Sequence, residues 1–259
     1  MSRSIAKALR VLVDGYEMSG YARSLGPLTW NHEWARDEAV GVEMYAYLAN
    51  QVTLSIGQLN VAFDTTPVSG PHEVFAGGEG EHRLVMAAIG RGGLAPAAGD
   101  PAFVGEFMQG NYLADPGQTG QTLTVQMDFA SSNLGGLQSL YAIPWGVLLQ
   151  PLATVEAGNE DPGVDNPFTG AATNHGGYML WMLADADDEV ELKLQDADTN
   201  EDAEFADLAS SGPIAAGPAA GIVPLARGTT VERYTRPQVV LGQATYARYA
   251  LAFVRSFGQ

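Results

Sequence analysis

The chain has 259 residues, 46% of them hydrophobic, with 31 Gly and 14 Pro, which excludes wholesale disorder and favours short strands and turns over long helices. Thirty acidic residues against thirteen basic ones give a formal charge of −17, which repels phosphate and argues against sequence-specific nucleic-acid binding. No apolar run approaches the ~20 residues of a membrane span, "MSRSIAKALRVLVDG" lacks the apolar core of a signal peptide, and with no cysteine there are no disulfides or thiolate ligands.

In chain order, Leu9, Val11 and Val13 alternate with Arg10, Leu12 and Asp14, which predicts a strand, and Asp14-Gly15 a turn. "WNHEWARDEAVGVEMYAYLA" (30–49) reads as a helix or an ordered loop. Val52, Leu54 and Ile56 start a second alternation that Leu59, Val61 and Phe63 resume and Pro67 stops. "SGPHEVFAGG" predicts a short helix, with Pro71 in its first turn and Gly77 beyond its end. "HRLVMAAIG" (82–90) reads as a buried strand and "RGGLAPAAGDP" as a loop; the stretch 91–118 is otherwise undefined.

"GQTLTVQMDFA" alternates Leu123, Val125, Met127 and Phe129 with Thr124, Gln126 and Asp128, and "WGVLLQPLATVEAG" continues the β character. "NEDPGVDNPFTG" (159–170) has no apolar periodicity and marks a linker or long loop. It separates an N-terminal β unit, 1–158, from a C-terminal antiparallel unit, 171–259, the latter open to being part of the same fold. That second unit reads as strands at "GGYMLWMLADA", "EVELKLQ", "GIVPLA", "RYTRPQVVLG" and "TYARYALAFVRSF".

Catalytic signatures fail in turn. "DADTNEDAE" (196–204) sets Asp196, Asp198, Asn200, Asp202 and Glu204 at alternate positions. A calcium loop counted from Asp196 would need Gly and Glu where Glu201 and Asp207 stand, so the segment predicts a solvated, mobile, metal-free hairpin loop. His32, His72, His82 and His175 are scattered singly, and His32-Glu33 lacks the second His of a zinc helix. "GRGGLA" has Ala95 where a dinucleotide loop needs its third Gly, and no serine sits in a nucleophile elbow. No catalytic, cofactor-binding or metal residue is nominated, and the chain is read as a non-enzyme. Only Lys7 and Lys193 are lysines, so the acidic composition resembles that of proteins from salt-loving organisms; a merely acidic mesophilic protein is the alternative.

Three stretches carry a family likeness. "LRVLVDGYEMSGY" places Asp14, Gly15, Glu17, Met18, Ser19 and Tyr21 in a strand–turn–strand opening. "TNHGGYMLWMLADADDEVELKLQDADTNEDAEFADL" (173–208) holds Asn174, Gly176, Gly177, Gln195, Phe205, Ala206, Asp207 and Leu208, and "VERYTRPQVVLGQATYARYALAFVR" (231–255) holds Arg233, Tyr234, Gly242, Ala250, Phe253 and Arg255. Together they resemble the major tail, or tail tube, proteins of long flexible-tailed phages (siphoviruses) and haloarchaeal tailed viruses.

The resemblance implies a tail-tube-like all-β fold, mainly an antiparallel β-sandwich or barrel with a short helix and long loops. It implies a virion subunit, made in the host cytoplasm, whose partner is itself: a ring, as a hexamer or pseudo-hexameric trimer, stacked axially into a hollow tube. Genomic DNA passes through without specific binding, other tail proteins (terminator, tape measure, baseplate) are further partners, and neither a membrane nor a cofactor is involved. On that reading Gln121, Thr122, Thr124, Gln126 and Asp128 face the lumen. Inter-ring contacts fall to Tyr16, Glu17, Met18 and Tyr21 in 15–26, and to Asp161 and Asp165 in 159–170. The alternatives are a capsid decoration or other tail or tip protein, and a carbohydrate-binding β-sandwich using Trp30, Trp34, Trp145 and Trp181. A hydrolase ranks last.

Overall fold

The computed structural model describes residues 8–38, 45–117, 122–131, 144–156, 163–166 and 170–256, with the side chains of 32–38, 45–54 and 131 left aside. The expected all-β class holds: the elements named among the described residues are antiparallel strands with a short α-helix and two 3-10 turns. The chain divides into two units, one of Met1–Ala22, Arg83–Gly105 and Pro144–Gln259, the other of Arg23–His82 and Glu106–Ile143.

The division expected at 159–170 is not the observed one. β9 (Trp145–Val155), expected in the N-terminal unit, pairs along its length with β16 (Ala247–Arg255), with Ala247 opposite Val155 and Phe253 opposite Val147. The physical reason is long-range strand pairing. A loop without apolar periodicity separates elements along the chain, but it does not separate the cores into which their faces are buried.

In the first unit, β1 (Leu9–Val13), β2 (Tyr16–Glu17), β6 (His82–Ile89), the start of β7 (Pro101–Asp115), β11 (Gly177–Ala186) and β14 (Ala219–Leu225) join β9 and β16 in one sheet. Its order is β14-β11-β16-β9-β7-β6-β1-β2. A second sheet runs β10-β15-β12-β13, from β10 (Val164–Asp165), β12 (Val190–Ala197), β13 (Ala206–Ile214) and β15 (Tyr234–Val240). Met179, Trp181, Leu183, Tyr249, Leu251 and Phe253 of the large sheet pack with Val190, Leu192, Leu194 and Val239 of the small one, as in a β-sandwich. Each such fully buried aliphatic side chain contributes about 1.5–3 kcal/mol.

The large sheet also curls until its ends meet. The Gly15 amide donates to Met182 Sδ at 3.3 Å, and Glu17 on β2 pairs with Arg248 on β16. Tyr178, Leu180 and Met182 on the far face of β11 are therefore buried too, as are Val11, Val13 and Met18. Tyr178 donates its hydroxyl to the Val104 carbonyl at 3.3 Å, and burial raises its phenol above the usual range.

In the second unit, β5 (Tyr45–Ala62) carries β3 (Ala22–Leu25) and β4 (Leu28–Glu38) on one edge. On the other it carries β8 (Thr124–Ser131), beyond which lies the end of β7. Of segment 30–49, read as a helix or ordered loop, 30–38 and 45–49 are instead parts of two strands, with Leu28 opposite Ile56 and Glu38 opposite Tyr45, and 39–44 lie outside the described residues. Trp30, His32 and Trp34 alternate with Asn31 and Glu33, which is period two, and pairing with β5 makes the segment a strand. The helix α1 (Pro71–Phe75) forms where Pro71 and Gly77 predict it. Its Phe75 ring lies edge-on to Phe129, 6.3 Å between centroids, and Gln109 Nε2 donates to the Phe75 carbonyl.

Candidate interaction surface

Three of the five residues nominated for a lumen, Thr124, Gln126 and Asp128, lie on β8, the inner strand of the second unit's sheet, and Thr122 precedes it. Val125, Met127 and Phe129 are buried, while Thr124, Gln126 and Asp128 between them are half-buried on the opposite face, and Thr122 is exposed. Gln121 lies outside the described residues. Gln58 Nε2 on β5 donates to Gln126 Oε1 at 2.8 Å, and Asn111 Nδ2 on β7 donates to Asp128 Oδ2 at 2.9 Å. Directly opposed residues share a face, so Asn60 and Leu113 flank Gln126, and Gly110 flanks Asp128.

This face is polar in the middle and apolar along β7, where Met108 is 42% and Leu113 58% exposed. The second unit contains eleven Asp and Glu against Arg23 and Arg36 alone, a formal charge of −9, and no basic residue lies on β8 or its described neighbours. Such a surface repels phosphate.

The first unit holds the residues nominated for ring-to-ring contact. Tyr16, Glu17 and Tyr21 are half-buried, and Glu17 is engaged by Arg248. Met18 is a correction: it is fully buried, because the turn at Asp14-Gly15 folds β2 back over β1 and the Met18 amide bonds the Val11 carbonyl. It therefore offers no surface to a neighbour. Asp161 lies outside the described residues. Asp165 is exposed on β10 and accepts both Nε and Nη2 of Arg233, at 3.0 and 2.7 Å. The hydrogen bond from Arg233 holds its carboxyl below the ordinary value.

The acidic segment 196–204 is more tightly held than a mobile loop. Asp196 is buried and its Oδ2 accepts the Glu232 amide at 2.7 Å; desolvation raises its carboxyl above the usual range. Asn200 Oδ1 accepts the Gly163 amide. Asp202 accepts Nη1 of Arg236, whose side chain lies over the Phe205 ring at 4.1 Å. Among the described residues no three His, Asp or Glu side chains gather as a metal site.

Arg255, one of the residues of the family likeness, is a buried clamp. Its guanidinium donates to the carbonyls of Val231, Glu232 and Arg233, fixing the crossover that enters β15. Tyr112 Oη is 2.7 Å from His72 Nδ1, His82 faces Glu106, His175 joins no metal-site cluster among the described residues, and the His32 side chain is outside the described set. Of the four tryptophans, Trp181 is core, Trp145 packs edge-on to Phe103, Trp30 is exposed, and the Trp34 side chain is outside the described set. Sequence reasoning missed Met108 and Leu113. The signal was the alternation in "AFVGEFMQGNYLAD", broken at Gly110–Leu113 by a bulge with Asn111 in the left-handed region.

No known family matches the chain, and no curated protein does. Among solved structures it is similar to the crystal structure of the SPP1 Dit (gp 19.1) protein, described as a paradigm of the hub adsorption apparatus in phages infecting Gram-positive hosts. The TM-score is 0.28 and the identity 11%, over 97% of this chain and 100% of that one. It is also similar to a chain of the phage p2 baseplate in its activated conformation with Sr, at TM-score 0.30 and 6% identity, over 95% of this chain and 98% of that one. Likenesses at these TM-scores assign no family.

Proposed function

We propose that the chain is a structural virion protein of a viral tail, a subunit that self-associates into stacked rings enclosing a passage for genomic DNA. The observation that carries this reading is the sheet face around Thr124, Gln126 and Asp128: polar, hydrogen-bonded across three strands, and free of basic residues in a unit of charge −9. A conduit for DNA must not retain it, and a cation-free polar wall meets that requirement. A contact whose rotation closes makes the ring, and the segments 15–26 and 159–170 remain the surfaces for axial stacking. Ring size, a hexamer or a trimer of two-unit chains, and the terminator, tape-measure and baseplate partners follow from the same reading.

A second reading, a tail-tip or baseplate ring, is favoured by one observation. Met108 and Leu113 expose an apolar column beside the polar one, which suits a subunit contact better than a wet lumen. Electron microscopy of the purified chain across salt concentrations tests both. Tubes support the first reading and isolated rings the second; a monomer at every salt level overturns both. Assembly should strengthen in concentrated salt, because like charges are screened within ~3 Å at 1 M against ~10 Å at 0.1 M.

A further inference from the structure

Three non-glycine residues among those described occupy the left-handed region: Asp14 (φ 50°), Asn111 (φ 43°) and Val68 (φ 70°). Asp and Asn tolerate it; a β-branched residue does not, because its Cβ substituents crowd the backbone. Val68 is also 69% exposed, so burial in its own subunit does not offset the strain.

The surrounding loop is built to hold that conformation. Asp64 Oδ1 accepts both the amide and the hydroxyl of Thr66, at 2.7 and 2.6 Å. The Gly70 amide closes on the Thr66 carbonyl and the His72 amide on the Asp64 carbonyl. A Cβ at Gly70 would come within 2.6 Å of the Asp64 carbonyl oxygen and the Thr66 amide nitrogen, so the loop is folded tightly on itself. Pro67 stiffens the turn at whose tip Val68 stands.

We propose that Val68 is a preorganised apolar anchor by which one copy of this chain docks on a second; the inference rests on the second self-assembly reading above, the ring in which Met108 and Leu113 make a subunit contact and not a passage wall. Copies carrying −17 repel one another, so contact between them falls to uncharged protrusions, and "TTPVS" (65–69) is one. The same unit offers exposed apolar surface at Met108 and Leu113. A knob on one copy and a patch on the next make a head-to-tail contact.

The test separates strain from docking. Val68→Gly and Val68→Asn suit a positive φ, so the isolated subunit should melt at or above the wild-type temperature. At fixed high salt, the concentration at which assemblies form, read by sedimentation and electron microscopy, should rise about tenfold or more. Val68→Ile should assemble as wild type. Val68→Gly assembling like wild type, or melting clearly lower as a subunit, overturns the anchor alone. A wild-type chain that never assembles overturns the self-assembly reading and the anchor with it.

Discussion

Arg236 Nη1 donates to Asp202 Oδ1 at 2.7 Å from a side chain only 5% exposed, while Asp202 is 66% exposed. A buried cation thus reaches out to a surface carboxylate, with Gln195 Oε1 accepting from its Nε and the Phe205 ring beneath it. Asp202→Ala leaves the guanidinium with too few partners, and the expected loss is about 1–2 kcal/mol. Adding Arg236→Met should cost less than the sum of the two single changes, because the stranded charge goes with it. Thermal melts of the four forms check this; strict additivity contradicts it.

Gly15 stands at φ 88°, where a Cβ would lie 2.5 Å from the Leu183 carbonyl oxygen and 2.6 Å from the Ala219 amide nitrogen. Backbone atoms cannot step aside as a flexible side chain can. Gly15→Ala should therefore cost about 3 kcal/mol or more, a fall of roughly 10 °C in melting temperature. A change under two degrees would show that the sheet does not close there.

Asp196 and Asp165 should respond to pH with opposite signs. Burial raises the Asp196 carboxyl in the folded state, so the fold bears a desolvated charge at neutral pH and gains stability as pH falls through that raised value. Asp196→Asn keeps an acceptor for the Glu232 amide. It should raise the melting temperature at pH 7, with the gain shrinking toward pH ~4. Asp165 is lowered by its bond to Arg233, so its stabilisation is present above the ordinary carboxylate range and lost as pH falls through its folded value. Asp165→Asn should lower stability at neutral pH and not in acid. Melting curves from pH 3 to 8 decide, and parallel profiles for the two variants refute the assignment.

Gln126 sits at the centre of the proposed passage wall. Gln126→Arg should leave the subunit folded and assembling but give assemblies that bind double-stranded DNA at ~0.1 M salt and release it as salt rises. Fluorescence anisotropy with a labelled duplex reads this directly. No gain of binding in well-formed assemblies would place Gln126 away from the passage.

What the sequence by itself determined was local. Alternation identified β8 and the inward set Val125, Met127 and Phe129, Pro71 and Gly77 bounded α1, and Asp14-Gly15 marked its turn. Each needs only neighbouring residues, because side-chain period and turn chemistry are properties of a short stretch. Tertiary structure alone decided the rest: that β9 pairs with β16 across about ninety residues of chain, that 30–38 and 45–49 belong to strands, that Met18 is sealed inside, and that Gly15 meets β11 and β14. Pairing partners and the choice of buried face are set by which distant surface excludes water from which, and no local pattern carries that information.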